Sequence, residues 1–179
     1  KARKQGKALS NARKTAAKQL AERIQDELRQ LDMSKVHFQV QFAPKTGQDG
    51  MDATGMDEVR FLMSANLGEE LRPIQKIASG GELSRIMLAI KTVLSGQDEI
   101  DTLIFDEVDT GISGSAAQKV GLKLREAAKD RQVICVTHLA QIASLADSHY
   151  LIQKLTKKEK TYTEVSPLDF EGRKHELAR

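Results

Sequence analysis

Apolar residues recur at spacings of three and four over the first 32 residues, and this pattern predicts one long helix. The apolar positions are Leu9, Ala12, Ala16, Leu20, Ile24, Leu28 and Leu31. The stripe is narrow and rich in alanine, whereas most other positions are polar or charged. Such a stripe is typical of a helix that packs on one partner, as at the end of a coiled coil. We therefore expect residues 1–32 to form one helix that packs on a partner, and residues 33–179 to form the rest of the fold.

Strict alternation follows in residues 36–42, with valine and phenylalanine on one face and histidine and glutamine on the other. This period of two predicts a half-buried strand. Residues 58–64 predict a second strand that pairs with the first. The segment between them, residues 44–57, carries three glycines among polar residues and is predicted to be a mobile loop.

The middle of the chain predicts a helix, strand, helix, strand order, at residues 82–94, 102–105, 115–128 and 132–137. The buried stripe of the first helix is expected at Leu83, Ile86, Met87, Ile90 and Leu94. The inward residues of the second helix are expected to be Ala117, Val120, Leu124 and Ala127. A strand, a helix and a strand joined by short connections form a right-handed crossover, so the two strands should be parallel. Because residues 102–105 form a short apolar run, that strand is expected to be buried on both faces.

The last part of the chain predicts an antiparallel pair, residues 149–153 and 161–165, joined across a polar turn at residues 157–160. A final helical run follows Pro167. The expected fold class is therefore α/β, with a mainly parallel sheet, flanking helices and a small β-hairpin, preceded by the long helix.

The composition limits the class of protein but does not indicate which reaction or ligand is involved. The formal net charge is only +3, but seven basic residues precede the first acid, Glu22. A single cysteine, Cys135, excludes an internal disulfide framework and suits a reducing cytoplasm. No apolar run approaches the roughly 20 residues that a membrane helix needs, so no membrane partner is expected. Residue 1 is not methionine, and we interpret the chain as a piece of a larger protein.

Titratable side chains follow both predicted parallel strands. Asp106 and Glu107 come directly after the first strand, and His138 comes after the second. The carboxyl ends of parallel strands open on the same edge of a sheet, which is where open α/β sheets place their ligands. Three such groups from separate stretches should therefore converge. An aspartate there can hold Mg²⁺, a neighbouring glutamate can activate water, and a histidine can bond phosphoryl oxygens.

A second candidate segment, Ser79-Gly80-Gly81-Glu82, leads directly into the helix at residues 82–94. Glycines let a backbone approach a phosphate closely, and helix amides stand behind them. The chain contains no G-x-x-x-x-G-K-[ST] sequence, so it has candidate catalytic acids and a phosphate loop but lacks the loop that cradles a nucleotide.

These residues carry a family resemblance. Ser79-Gly80-Gly81-Glu82 resembles the signature motif of ABC-type ATPases, in the form used by the SMC and double-strand-break-repair branch. Residues 103–107 resemble their Walker B motif, Asp109 stands where the D-loop aspartate is expected, and His138 stands where the switch histidine is expected. Longer strings, residues 76–89, 105–114 and 136–139, are similar to the RecN family of bacterial recombination and repair proteins. One departure is Ala140, where that family is expected to have proline.

The resemblance implies a fold and a mechanism. Residues 1–32 would be the end of the coiled-coil arm, and residues 33–179 would be the C-terminal lobe of a P-loop ATPase head, without its Walker A motif. Two heads would enclose two ATP molecules: Asp106 would hold Mg²⁺, Glu107 would activate water, and His138 would contact the γ-phosphate in its own site. The signature residues Ser79, Gly80, Gly81 and Glu82 would reach the nucleotide of the other head, and Asp109 would link the two sites.

The resemblance also implies partners. They are the N-terminal P-loop half of the same head, a second head in a homodimer, and DNA, in a cytoplasmic, nucleoid-associated protein. This chain alone would be inactive or nearly so. Two other interpretations stay open: a half-head of another SMC-like repair ATPase, and a non-enzymatic DNA-binding or dimerisation module. Without the N-terminal half, one side of the sheet should be exposed, which predicts poor solubility or self-association.

Overall fold

The computed structural model describes residues 1–46, 50–66, 68–76, 79–97, 99–157 and 160–179. The helices are α1 (Ala2–Gln30), α2 (Gly80–Val93), α3 (Gly114–Ala127), α4 (Ala140–Ala143) and α5 (Phe170–Leu177). The strands are β1 (His37–Pro44), β2 (Asp57–Ser64), β3 (Arg72–Pro73), β4 (Thr102–Phe105), β5 (Gln132–Cys135), β6 (Tyr150–Lys157) and β7 (Lys160–Pro167). The chain divides into two compact units, Lys1–Ile100 and Asp101–Arg179.

Helix α1 in the first unit changes its packed face halfway along. In its second half, Ile24 and Leu28 are buried as predicted, and Leu31 is buried just beyond its end. In its first half the predicted stripe is wrong: Leu9 is 41% exposed, whereas Gly6 and Ser10 are buried instead. The reason is a close approach of residues 51–57, which leaves room only for small side chains.

Three contacts fix the first half of α1 to that segment. A Cβ atom at Gly6 would lie 2.9 Å from the Met56 side chain. The Ser10 hydroxyl donates to Asp57 Oδ1 at 2.8 Å, and Arg13 donates to the Thr54 carbonyl at 2.8 Å. The segment predicted to be a mobile loop is therefore tied to the helix at these described positions, whereas residues 47–49 of the predicted loop lie outside the described residues.

The sheet of the first unit has the order β1-β2-β3, and both described pairings are antiparallel. The predicted pairing of the first two strands is confirmed over their full length, from His37 opposite Ser64 to Pro44 opposite Asp57. The predicted alternation is confirmed as well, because Phe38 is buried while His37 on the other face is exposed.

Helix α2 begins two residues earlier than predicted, because Ser79 serves as its N-cap. The predicted stripe is confirmed at Ile86 and Ile90, but it is wrong at Met87, which is 37% exposed. The helix is buried over a broader face than one stripe, and this face also includes Leu88, Ala89 and Val93.

Strands β4 and β5 of the second unit form the predicted parallel pair, with Thr102 opposite Gln132 and Phe105 opposite Cys135. One face of the pair carries the buried residues Leu103 and Phe105. The other face is exposed: Ile104 is 70%, Ile134 44% and Val136 45% exposed. Burial of β4 on both faces is thus a wrong expectation for this chain, whereas the exposed side of the sheet is confirmed.

The second unit is completed by two helices and a hairpin. Helix α3 packs against β5 and α4, and its predicted inward residues Ala117, Val120, Leu124 and Ala127 are all buried. Strands β6 and β7 are antiparallel, as predicted, and longer than predicted. Two residues of the predicted turn, 158 and 159, lie outside the described residues. Arg173 of α5 donates to the carbonyls of Ala143, Ser144 and Ala146, and so holds the end of α4.

The architecture is mixed α/β, with one parallel pair and two antiparallel sheets among the described residues. This confirms the predicted α/β class, the flanking helices, the hairpin and the long first helix. A mainly parallel sheet is not found among the described residues, because only β4 and β5 pair in parallel. The predicted boundary at residue 32 stays a prediction. Within the described ranges no helix is long and apolar enough to span a membrane.

Candidate functional site

The carboxyl ends of β4 and β5 lie side by side. Phe105 and Cys135 are register partners, and the Val136 amide donates to the Phe105 carbonyl at 2.9 Å. The ladder therefore continues to the last residue before each connecting loop. The loop that carries Asp106, Glu107 and Asp109 and the loop that carries His138 leave the sheet at the same edge, as the parallel topology requires.

Asp106 and Glu107 are exposed at the first residues beyond β4. A side-chain oxygen of Asp106 accepts the Glu107 amide at 2.9 Å, which orients this carboxylate at the strand end. Glu107 has a φ of 59°, in the left-handed region that residues with a Cβ rarely adopt. Such a backbone costs on the order of 1 kcal/mol and is found where the surrounding structure imposes it, often at functional sites.

A tight turn imposes the conformation at Glu107. The Thr110 amide donates to the Glu107 carbonyl at 3.0 Å, and the Ile112 amide donates to the Asp109 carbonyl at 3.3 Å. Gly111, with a φ of 76°, supplies a second left-handed position without the cost that a side chain would bring. The turn projects Glu107 outward and Asp109 inward, since Glu107 is exposed and Asp109 is only 3% exposed.

Asp109 connects the two loops. Its Oδ2 accepts the Thr137 hydroxyl at 2.6 Å and the His138 amide at 2.9 Å, and it lies 3.0 Å from Nδ1 of His138. Burial raises the pKa of the Asp109 carboxyl, but the hydrogen bonds from Thr137 and His138 and the His138 ring outweigh burial and hold this pKa below its ordinary value. The group is therefore an ionised carboxylate at neutral pH.

The signature segment lies in the other compact unit, Lys1–Ile100. Ser79 is the N-cap of α2, and its hydroxyl oxygen accepts the Glu82 amide at 3.4 Å. The hydroxyl keeps its own proton as a donor. Gly80 is exposed, whereas Gly81 is buried at the start of the helix. The preceding residues 77 and 78 of the longer motif lie outside the described residues.

The donor set at the sheet edge suits a magnesium ion that is shared with a nucleotide. In the described part of the chain there is no group of three or more histidine, cysteine or acidic side chains that forms a cage for a metal. Mg²⁺ usually takes one or two carboxylates and completes its shell with water and phosphate oxygens. The exposed Asp106 at the strand end fits that requirement, and a closed protein site is not needed.

The structure thus brings three of the predicted residues, Asp106, Glu107 and Asp109, into one turn, and it joins Asp109 to His138. Sequence reasoning missed Thr137, whose hydroxyl donates to Asp109 and accepts the Leu139 amide at 3.1 Å. Its sequence signal is its place between an apolar strand and a strand-terminal histidine. The predicted chemical roles of these residues stay predictions.

Comparison with known proteins relates this chain to bacterial repair proteins. It is 46% identical over 177 residues to the DNA repair protein RecN of Treponema pallidum and 43% identical over 183 residues to that of Bacillus subtilis. These alignments cover 97% and 96% of this chain, but only 31% and 32% of the relatives. A search against protein-family models finds no match.

Comparison with solved structures relates the fold to SMC heads. The SMC head domain of Pyrococcus yayanosii, with its coiled coil and joint, superimposes with a TM-score of 0.61 at 18% identity, over 93% of this chain and 29% of that one. A structure from work on ATP-driven dimerisation and DNA-stimulated activation of SMC ATPases gives 0.54 at 15% identity, over 94% of both chains. At such identities the likeness shows the fold alone.

Sequence and fold point the same way. Sequence identity above 40% over nearly the whole chain shows the relation to RecN. The structural neighbours show the fold of the lobe. The chain therefore belongs with the RecN-type DNA repair proteins, has the fold of an SMC head, and spans about a third of the length of the relatives that it matches.

Proposed function

We propose that this chain supplies the catalytic carboxylates of a RecN-type ATPase head that acts in recombinational repair of DNA double-strand breaks. The observation that carries the proposal is the turn after β4. It places Asp106 and Glu107 in solvent at the carboxyl edge of a parallel pair and ties Asp109 to the histidine after the neighbouring strand. This is the edge at which α/β sheets bind their ligands.

In this proposal each residue has one task. Asp106 is the protein ligand of Mg²⁺, and the metal, when bound, neutralises phosphate charge. Glu107 orients and deprotonates the attacking water from its exposed position. His138 contacts the γ-phosphoryl group. Ser79 and the amides of Gly80 and Gly81 contact the nucleotide of a second head, with Glu82 in the first turn behind them, and Asp109 lies at the contact between heads.

The proposed partners follow from the family resemblance, and the charge of α1 supports one of them. The P-loop comes from the N-terminal half of the same head, and a second copy completes each site. DNA is the third partner, and basic residues along the first half of α1 favour it: Lys1, Arg3, Lys4, Lys7, Lys14 and Lys18 are all exposed. Phosphate contacts of this kind should make DNA affinity strongly dependent on salt.

The test is ATP turnover by this chain, alone and mixed with the P-loop segment of a relative. We expect turnover only in the mixture, and a loss of about 10²-fold or more in Glu107→Gln, because a positioned general base contributes that much. Glu164→Gln, which changes an exposed acid on β7, is the matched control and should keep full turnover.

Two outcomes would contradict the proposal. Turnover that is unaffected by Glu107→Gln would remove this residue as the base. DNA binding that survives Glu107→Gln and shows no response to ATP, in a well-folded mixture without turnover, would instead favour a non-enzymatic DNA-binding module.

A further inference from the structure

One side-chain oxygen joins the two loops at the sheet edge. Oδ2 of Asp109 accepts the Thr137 hydroxyl at 2.6 Å and the backbone amide of His138 at 2.9 Å. The same oxygen lies 3.0 Å from Nδ1 of the His138 ring. Three contacts from two consecutive residues to one carboxylate oxygen fix both the backbone and the ring of His138 relative to the turn after β4.

Asp109 and His138 differ strongly in their exposure to solvent. Asp109 is 3% exposed, whereas the His138 side chain is 76% exposed. A buried carboxylate needs hydrogen-bond donors to offset its lost hydration, and Thr137 and His138 supply them. The ring is therefore anchored on its Nδ1 side and open to solvent elsewhere.

Thr137 makes two hydrogen bonds, and together they determine which way its hydroxyl proton points. Its oxygen accepts the Leu139 amide at 3.1 Å, so its proton is left to donate to Asp109. A valine at this position would keep the shape but would remove both bonds. The Leu139 amide would then lose its acceptor, and Asp109 would lose one of its donors.

The consequence concerns the tautomer of the imidazole. A neutral histidine carries one N–H, and the nitrogen whose partner is an ionised carboxylate keeps the proton. With Nδ1 facing Asp109, the proton of the neutral ring is on Nδ1, and Nε2 carries the lone pair. Nε2 is then an acceptor in the neutral ring and a donor only in the imidazolium.

We propose that Asp109 and Thr137 act within their own chain as the positioning pair of His138, holding Nδ1 as the donor and presenting Nε2 to the nucleotide site. The role of Nε2 at a nucleotide site rests on the proposed ATPase function, whereas the contacts of Asp109 with Thr137 and His138 do not depend on it. It gives Asp109 a task within one chain, in addition to the contact between heads that the family resemblance implies. His138 meets a phosphoryl oxygen through Nε2 as the imidazolium, and it meets a proton donor through Nε2 as the neutral ring.

The tautomer is measured directly by ¹⁵N NMR of this chain with labelled histidine, with His138 assigned by its loss in His138→Gln. We expect the Nδ1–H tautomer for the neutral His138 ring in the unchanged chain. In Asp109→Ala, the ring should return to the Nε2–H tautomer that solvent-exposed histidine favours. An Nε2–H tautomer in the unchanged chain, or an Nδ1–H tautomer that persists in Asp109→Ala, overturns the proposal.

Thr137 gives a second test that does not depend on the folding of Asp109→Ala. In the mixture with the P-loop segment, Thr137→Val should lower turnover about tenfold or more, since small displacements of a catalytic group are costly. Thr137→Ser keeps the hydroxyl and should restore turnover to within about twofold. Thr163→Val, on the exposed hairpin, is the control for the lost hydroxyl. Equal turnover in the valine and serine variants contradicts the positioning role of Thr137.

The two proposals fail in distinguishable ways. If the tautomer responds as expected while Glu107→Gln leaves turnover intact, the positioning pair stands and the ATPase assignment of Glu107 falls. If Glu107→Gln abolishes turnover while His138 is in the Nε2–H tautomer, the ATPase assignment stands and the positioning pair falls.

Discussion

Cys135 is the last residue of β5, on the strand that leads to Thr137 and His138. Burial raises the pKa of its thiol to about 12, and the negative charges of Asp109 and Asp106 add to the effect. A thiolate at Cys135, next to these two carboxylates, is thus strongly disfavoured. The thiol remains a small, inert side chain in the strand.

This pKa predicts slow alkylation of the folded chain. Because only the thiolate reacts, and the pKa of Cys135 lies about 3 units above the ordinary 9.0, iodoacetamide should react about 10³-fold more slowly at pH 8 than with the unfolded chain. The native rate should continue to rise tenfold per pH unit through pH 10, whereas the unfolded rate levels off. A Cys135→Ala chain with Thr163→Cys is the exposed control. Equal native and unfolded rates would contradict the raised pKa.

At the residue scale, the candidate acids could be predicted because they follow an apolar run directly in sequence. To predict Asp106 and Glu107 as site residues, it is enough to recognise the strand that precedes them. The contact of Asp109 with His138 could not be predicted, because it joins residues 29 positions apart through a turn whose geometry depends on Gly111. The role of Thr137 was missed for the same reason: its place before His138 is visible in the sequence, but its hydrogen bond to Asp109 depends on the fold.

At the scale of elements, α1 shows that an apolar stripe predicts where a helix lies but not always which of its faces is packed. The spacing predicts the length of the helix well, because the charged and alanine-rich positions all favour helix. It does not predict the packed face of the first half, where Gly6 and Ser10 are buried and Leu9 is half-exposed. Small residues become core residues only when another segment approaches closely, and a sequence pattern does not record that approach.

The two halves of α1 should therefore respond differently to the same substitution. Leu28 is completely buried, so Leu28→Ala should lower the free energy of unfolding by about 2–5 kcal/mol. Leu9→Ala, on the same helix at 41% exposure, should lower it by about 1 kcal/mol or less. Urea denaturation followed by circular dichroism measures both. Equal losses would mean that Leu9 is packed as the sequence stripe predicts.

At the scale of the whole molecule, one face of the β4 and β5 pair exposes apolar side chains to solvent. Ile104, Ile134 and Val136 lie on one side of this pair, and α3 packs on the pair elsewhere. The sequence predicted such a face from the missing Walker A motif, since a head without its P-loop half leaves part of its sheet uncovered. The hydrophobic pattern alone gives the opposite expectation, a strand buried on both faces.

Self-association through this face is testable. We expect the mass of the isolated chain, measured by sedimentation equilibrium, to rise with concentration, because contiguous apolar surface associates in water. Ile104→Lys should reduce this rise and should also weaken association with the P-loop segment. Leu122→Lys, at an exposed apolar position on α3, is the control and should change neither. If both substitutions have the same effect, the sheet face is not the site of association.

The left-handed backbone at Glu107 has a consequence for how this position can evolve. Glycine and asparagine adopt a φ near 59° at lower cost than glutamate, so either would relieve strain at the turn. A lineage selected for folding alone would drift to those residues here, and laboratory selection for thermal stability should recover them. A lineage that retains glutamate here retains a strained backbone, which indicates selection for the carboxylate.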